Sequence, residues 1–218
     1  MMILRGVGAI DARSTMYPAR LHAIDGARSF DDVAVTVYGA VVSGRATLRA
    51  PGLTAELDAG GFFALPGPCE LVADGLSVAV ERIGHRAMSC VGRIEERGRL
   101  VYIDGCSDTI LCAPARLGDP VLNHLHFPAG TEQSVHVHPS VRLGVVVRGR
   151  GVAFGPSWKE ALEPGTAFLL LEHEKHAFRT FADSSMDVVA FHPDSDWGPT
   201  DAAHPMLNRT YVCERRER

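Results

Sequence analysis

Two stretches of the chain that lie 105 residues apart have similar sequences. Residues 36–66 read TVYGAVVSGRATLRAPGLTAELDAGGFFALP, and residues 141–171 read VRLGVVVRGRGVAFGPSWKEALEPGTAFLLL. They align without a gap and agree at ten of 31 positions, whereas unrelated segments share about two. Turn residues as well as apolar residues agree, so the match favours an internal repeat over a coincidence of composition.

Each copy of the repeat has the pattern of a strand, a turn and a second strand. β-branched runs at 33–42 and 141–147 lead into Gly44 and Gly149, and apolar runs follow Gly60 and Gly165. Residues 100–103 and 121–127 also have the composition of strands. Such strands are typical of a barrel or sandwich, which covers its sheet edges. The sequence therefore predicts an all-β chain with two similar barrel halves, residues 1–95 and 96–218.

Composition excludes several classes of protein. The chain has 218 residues, and 22 Lys and Arg against 26 Asp and Glu give a net charge of −4, so we expect no nucleic-acid partner. Five cysteines without a Cys-x-x-Cys pair disfavour a disulfide framework. Neither a signal peptide nor an apolar run long enough for a membrane helix is recognisable. We expect a cytoplasmic protein with no membrane partner.

A histidine pair precedes the second copy of the repeat, in the stretch GTEQSVHVHP at residues 130–139. Residues two apart on a strand face the same way, so His136 and His138 can converge on one point inside a barrel. Imidazoles are good ligands for Zn, Fe, Ni or Cu. On its own, however, a His-x-His sequence is more often two polar residues on a solvent-facing strand.

The surroundings of this pair resemble the two sequence signatures of the cupin family. The first signature is matched at Gly130, His136, His138 and Gly149, and the second at Gly165 and His176. The resemblance covers most of residues 121–192 and extends through the repeat to about residues 30–85, so the chain resembles a bicupin. It implies two tandem cupin barrels of the double-stranded β-helix type, the second of which holds a metal on His136, His138 and His176.

The chain departs from the cupin signatures where the family has a glutamate ligand, because Arg142 stands there. A guanidinium stays protonated and has no lone pair for a metal. The resemblance thus implies a divalent metal on three histidines, with Fe first, as in three-histidine cupin dioxygenases, and Zn, Mn or Ni as alternatives. Open coordination positions are typical of a catalytic site. The competing interpretation is a metal-free relic in which Arg142 pairs with Glu132 or Glu174.

Three further residues are candidates for catalysis. If Arg142 points inward, its fork of donors suits a carboxylate or another small anion, although a salt bridge at the barrel mouth is equally consistent. His124 and His126 alternate on the strand before Gly130. They form a proton relay or support the ligands if that strand lines the barrel, and they are surface residues if it faces outward. We expect His192 at the barrel rim and His173 on the face opposite His176.

The first copy of the repeat lacks most of these residues. Opposite His136, His138, Arg142 and His176 it has Asp31, Val33, Val37 and Leu71. A barrel that holds no ligand must be filled by side chains, so we expect a packed, structural first half and one site per chain. The segment 192–205, with three Asp and Trp197, is interpreted as a strap across the second barrel.

The predicted function is a metal-dependent enzyme that acts on a small, anionic organic molecule. Dioxygenase chemistry is the first candidate, and isomerase or lyase chemistry is next. The alternative is a sensor cupin that binds a small ligand without turnover. The cupin resemblance also implies a homodimer. The fold alone does not choose between these functions, because this barrel supports many reactions.

Overall fold

The computed structural model describes residues 1–116 and 118–195, together with the backbone of Tyr211–Val212. The described residues form β-strands and one short 3₁₀ turn, Ile103–Gly105, which confirms the all-β prediction. No helix in this part of the chain is long and apolar enough to cross a membrane. Most of the predicted strap, including Trp197, lies outside the described residues, as do Cys213 and His204.

Twenty strands follow one another along the described part of the chain. Those in the first half are β1 (Met2–Leu4), β2 (Gly8–Ala12), β3 (Ala19–Phe30), β4 (Val35–Val41), β5 (Arg45–Ala50), β6 (Leu53–Asp58), β7 (Gly61–Pro66), β8 (Cys69–Ile83) and β9 (Cys90–Arg93). Those in the second half are β10 (Leu100–Val101), β11 (Ser107–Cys112), β12 (Val121–Phe127), β13 (His136–Val137), β14 (Arg142–Gly149), β15 (Gly151–Phe154), β16 (Lys159–Leu162), β17 (Ala167–Leu170), β18 (Ala177–Thr180), β19 (Met186–His192) and β20 (Tyr211–Val212).

The strands form two large antiparallel sheets and two small ones. The first large sheet has the order β2-β3-β8-β4-β7-β9, with β5 joined to β8 and β6 to β5. The second has the order β1-β17-β14-β19-β12-β11-β10, and it is accompanied by the sheets β16-β15-β18 and β13-β20. β1 therefore lies in the sheet of the second half, which departs from a division of the chain into 1–95 and 96–218.

The sequence repeat is also a repeat of strand register. Val37 pairs with Leu65 between β4 and β7, and Arg142 pairs with Leu170 between β14 and β17, 105 residues later in both strands. The next hairpins agree in the same way, because Ala46 opposite Leu57 corresponds to Gly151 opposite Leu162. The two stretches thus share a local structure as well as a composition.

In each copy of the repeat, an aromatic ring lies so close to one backbone position that only glycine fits there. A Cβ on Gly144 would lie 2.5 Å from Cζ of Phe168, its cross-strand partner. A Cβ on Gly39 would lie 2.6 Å from Cζ of Phe63 and 2.3 Å from the Val78 carbonyl oxygen. The aromatic ring covers the glycine in both copies, so this identity in the repeat reflects packing.

Three clusters of buried apolar residues fill the interior of the described part of the chain. One lies within the first half and includes Val37, Phe63 and Leu71. A second lies within the second half, around Phe168 and Phe178. The third lies between the two large sheets and includes residues from both halves. Because of this middle layer, strands of the second large sheet are buried on both faces.

Candidate metal centre

Three histidines meet inside the second half of the chain. His136 and His176 face each other across a backbone bridge, since the N–H of each donates to the carbonyl of the other at 2.9 and 3.0 Å. His138 lies on the same side, two residues after His136, as strand alternation predicts. The ring centroids are 4.4 to 5.1 Å apart, and the possible ligand nitrogens lie within 4.8 Å of one another. All three side chains are buried.

Local hydrogen bonds set the tautomer of two of these rings. His136 Nδ1 lies 2.8 Å from the Ser134 carbonyl oxygen, and His176 Nδ1 lies 2.8 Å from the Glu174 carbonyl oxygen. A carbonyl oxygen only accepts, so each Nδ1 carries the proton and donates it. In a neutral ring the lone pair is then on Nε2, the atom that a metal would bind.

Burial keeps two of the three rings, His138 and His176, neutral. It lowers the pKa of His138 well below its usual value, and the positive charge of Arg142 lowers it further. Burial and the neighbouring His136 likewise hold the pKa of His176 well below its usual value. Metals bind deprotonated imidazole, so three buried rings, two of them with fixed tautomers, form a donor set that fits a divalent metal.

A small cavity adjoins the three rings. Its wall contains Tyr102, Gln133, Arg142 and His192 beside apolar residues, namely Leu125, Phe127, Phe168, Leu170, Phe178 and Ala190. The space open to the centre of a water molecule is about 20 Å³, enough for one or two waters. The site therefore favours a small ligand.

Arg142 lies in this cavity wall and is 3% exposed. Its Nη1 donates to the Ser140 hydroxyl at 2.6 Å and lies 3.6 Å from Oδ1 of Asp194, so its acidic partner is Asp194 and not Glu132 or Glu174. Burial lowers the pKa of Arg142 to about 10, which leaves it protonated at neutral pH.

The other edge of the Arg142 guanidinium lacks a partner. Its Nε and Nη2 are buried and make no hydrogen bond within the described part of the chain. These two nitrogens form the edge that binds a carboxylate in a bidentate manner. A buried cation with unsatisfied donors is costly unless a ligand completes it. The arrangement therefore fits an anion in the cavity.

The structure does not bring His124 and His126 to the cavity. Both rings lie on the opposite face of β12 and donate to Oδ1 of Asp187 at 2.7 and 2.9 Å, while Arg148 Nε donates to Oδ2 at 3.0 Å. Burial alone would raise the pKa of Asp187, but the hydrogen bonds from the two histidines and the charge of Arg148 outweigh it and lower that pKa. In this position the pair fixes a buried carboxylate, and we assign it no proton relay at the metal centre.

Two other histidines are placed differently from one another. His173 is exposed, with φ of 57°, and does not join the group of three, in line with the face expected for it. His192 was expected at the rim, but it is 2% exposed and lines the cavity, with its ring centroid 6.3 Å from that of His138. Burial holds its pKa well below the usual value. Strand alternation with Ala190 is the signal that could have placed it inside.

Gln133 is a cavity residue that the sequence did not single out. Its Oε1 accepts from the Phe178 N–H at 3.3 Å, and its buried Nε2 makes no hydrogen bond within the described residues. It stands three residues before His136, in a stretch without regular secondary structure, so no strand alternation indicates where its side chain points.

In the first half, the equivalent positions carry no such site. Val37 and Leu71, equivalent to Arg142 and His176, are 1% exposed and belong to the apolar cluster of that half. Asp31 and Val33 are exposed, so Val33 does not help to fill the interior. Across residues 1–116 and 118–195, the three-histidine group is the one cluster of metal-ligating side chains of this size.

No protein-family model matches the sequence, and no curated protein matches it. Solved structures, in contrast, do match the chain. The chain is similar to a cupin 2 conserved barrel domain protein from Leptotrichia buccalis, with 13% identity, a TM-score of 0.61, and 87% of this chain and 88% of that chain covered.

Two enzymes are among the structures to which the chain is similar. A salicylate 1,2-dioxygenase variant from Pseudoaminobacter salicylatoxidans, in complex with gentisate, shares 12% identity at a TM-score of 0.64, covering 87% of this chain and 74% of the other. Bacillus subtilis oxalate decarboxylase, described with Mn(II) centres, shares 11% identity at a TM-score of 0.55, covering 88% and 74%. The chain thus has the fold of cupin proteins, and its three predicted ligands form one site.

Proposed function

We propose that this chain is a metal-dependent bicupin enzyme acting on a small organic acid at the three-histidine site. The observation that supports this proposal is that three buried histidines share one cavity with the Nε–Nη2 edge of Arg142, which has no hydrogen-bond partner among the described residues. The first element suits a metal and the second suits an anion, so together they favour chemistry on a bound carboxylate.

Each side chain has a definite task in this proposal. His136, His138 and His176 hold the metal, and a bound Fe(II) would supply O₂ activation and Lewis acidity, whereas Zn, Mn or Ni would supply Lewis acidity. Arg142 binds and orients the acid through Nε and Nη2. The apolar wall, including Phe127 and Phe168, excludes water from the bound molecule. Oxygenolytic cleavage is the first candidate reaction, followed by isomerisation or lyase chemistry.

The bicupin part of the proposal gives the two halves different tasks. The repeated strand register and the separate apolar interiors support two tandem barrels. Residues 1–95 without β1 serve as the degenerate, structural barrel, and residues 96–218 together with β1 serve as the metal-binding barrel. A homodimer and a cytoplasmic location remain predictions from sequence.

Metal analysis tests the first step. Purified without chelator, the protein should contain about one equivalent of Fe, Mn, Ni or Zn, and the His136→Ala/His138→Ala double variant should contain none. His173→Ala, which removes an exposed neighbouring histidine, is the matched control and should retain the metal. If wild type and double variant are equally metal-free and equally stable, the metal proposal fails.

Oxygen uptake tests the second step. We expect the metal-loaded protein to consume O₂ with at least one member of a panel of small carboxylates and diketones. Product formation without O₂ uptake indicates isomerase or lyase chemistry. Tight binding of a panel member without any product supports the sensor function in place of an enzyme.

A further inference from the structure

Two cysteines meet at a cleft between the halves of the molecule, apart from the metal centre. Cys90 begins β9 in the first large sheet, and Cys112 ends β11 in the second. Both line a cleft of about 750 Å³. The Cys90 thiol is 3.7 Å from the Leu111 carbonyl oxygen, next to Cys112 in sequence. Cys90 is partly exposed, whereas Cys112 is 5% exposed.

The Cys90 thiol lies against the backbone immediately before Cys112, so the two cysteines are neighbours in space. A hydrogen bond from the Cys112 thiol lowers the pKa of Cys90 to about 7, and the same contact together with burial raises the pKa of Cys112 well above its usual value. Other ionisable groups that line the cleft are His85, Arg86, Arg116, Asp119 and Tyr38. A thiolate is the reactive form of cysteine, so Cys90 has the environment of an attacking sulfur and Cys112 that of a resolving one.

We propose that Cys90 and Cys112 form a reversible dithiol–disulfide site that reacts with hydroperoxides. The Cys90 thiolate attacks one peroxide oxygen, the O–O bond breaks, and hydroxide leaves, so that Cys90 becomes a sulfenic acid. The Cys112 sulfur then attacks the Cys90 sulfur, the S–O bond breaks, and the Cys112 proton leaves with the departing oxygen as water. Overall two thiols and one hydrogen peroxide give one disulfide and two waters, and a dithiol reductant reverses the change.

The remaining described cysteines lack this environment. Burial raises the pKa of Cys69 to about 11 and that of Cys106 to about 12, and both side chains are buried. They therefore serve as internal controls in the same molecule. A disulfide between Cys90 and Cys112 would join β9 to β11 and so link the two large sheets covalently.

The test uses the full chain with Cys213→Ser, so that only the four described thiols remain. The protein is stripped of metal with a chelator, treated with one equivalent of hydrogen peroxide at pH 7, blocked with iodoacetamide, and digested without reduction. Mass spectrometry should find a Cys90–Cys112 cross-linked peptide that disappears after dithiothreitol. Without peroxide, iodoacetamide should modify Cys90 at least ~100-fold faster than Cys69.

Two variants extend the test. In Cys112→Ser, Cys90 should stop at the sulfenic acid and be trapped by dimedone, whereas Cys90→Ser should give no trapped adduct. The proposal is overturned if Cys90 is alkylated no faster than Cys69, or if peroxide yields no Cys90–Cys112 peptide in protein that contains Cys112. Because the protein is metal-free throughout, failure of the metal centre would not alter these results.

Discussion

Arg142 shows how one residue can indicate a ligand. One edge of its guanidinium is held by Ser140 and lies near Asp194, and the other edge is buried without a hydrogen bond to any residue that the structure describes. A charge-assisted hydrogen bond contributes roughly 1.5–3 kcal/mol. The unsatisfied edge is therefore the part of the cavity from which a bound acid gains most.

The first prediction concerns this edge. In Arg142→Met, the affinity of the metal-loaded protein for a small carboxylate such as acetate should fall by about 10- to 150-fold, since that is the equivalent of 1.5–3 kcal/mol. Metal content should not change, because Arg142 is not a ligand. Isothermal titration calorimetry and metal analysis measure the two quantities. Arg150→Met, which removes an exposed cation, is the control, and equal affinities in the two variants would contradict the role of Arg142.

A second prediction concerns pH. His138, His176 and His192 have pKa values well below 6.5 in the folded protein, so below pH 6.5 the unfolded chain binds protons that the folded protein does not. The free energy of unfolding of the metal-free protein should therefore fall on acidification, by up to about 1.4 kcal/mol per pH unit for each ring. Well above pH 6.5 these rings are neutral in both states and contribute no pH dependence.

Urea unfolding between pH 7.5 and 5.5, in the presence of chelator, measures this dependence. His192→Gln removes one of the three rings without touching a predicted ligand, and its slope below pH 6.5 should be smaller by about 1.4 kcal/mol per pH unit. Parallel curves for the variant and the wild type would show that His192 takes up its proton in the folded protein as readily as in the unfolded chain.

At the scale of elements, β14 and β17 depend on a glycine beneath an aromatic ring. Gly144 and Phe168 are cross-strand partners, and the same pair recurs as Gly39 and Phe63 in the first half. The contact lets two strands of a barrel wall approach while the ring fills the interior. It explains why these positions agree between the copies when most others differ.

The third prediction tests this contact. Gly144→Ala should destabilise the protein by about 1–3 kcal/mol, because its Cβ cannot fit beside Phe168 without a shift. Gly144→Ala should lower the free energy of unfolding by a smaller amount when Phe168→Leu is also present. A double-mutant cycle of urea unfolding measures this difference. If the two effects are simply additive, the ring is not what excludes the methyl group.

At the scale of the whole molecule, the apolar layer between the two large sheets makes the halves interdependent. It contains side chains from both halves, among them Tyr38, Leu143 and Phe191. The ring centroids of Tyr38 and Phe191 are 5.0 Å apart, so aromatic contact crosses the boundary. Each half therefore covers apolar surface that the other would expose to water.

A fourth prediction follows for residues 96–218 produced alone. This segment lacks β1 and exposes its side of the middle layer, so it should bind the dye ANS strongly, aggregate, and bind no metal at one equivalent. Size-exclusion chromatography, dye fluorescence and metal analysis check these outcomes against the full chain. A monomeric, metal-binding segment would show that the second half folds independently.

The sequence predicts the site better than its surroundings. The internal repeat predicts the all-β class. The spacing of the histidines predicts the three ligands, because ligand positions depend on strand alternation and turn length. The sequence leaves the face of His124 and His126 open and puts His192 at the rim, because β12 and β19 are buried on both faces. Where every residue of a strand is buried, composition does not show which face points inward. The pairing of β1 with β17 is likewise not predictable from the local sequence of either strand.

The placement of β1 has a consequence for how the chain is made. Its residue Met2 pairs with Leu169, so β1 finds its neighbour only after 167 further residues have been synthesised. Contacts so distant in sequence form slowly and late. β1 is thus placed late, and the wall behind the histidines closes only when synthesis has passed β17.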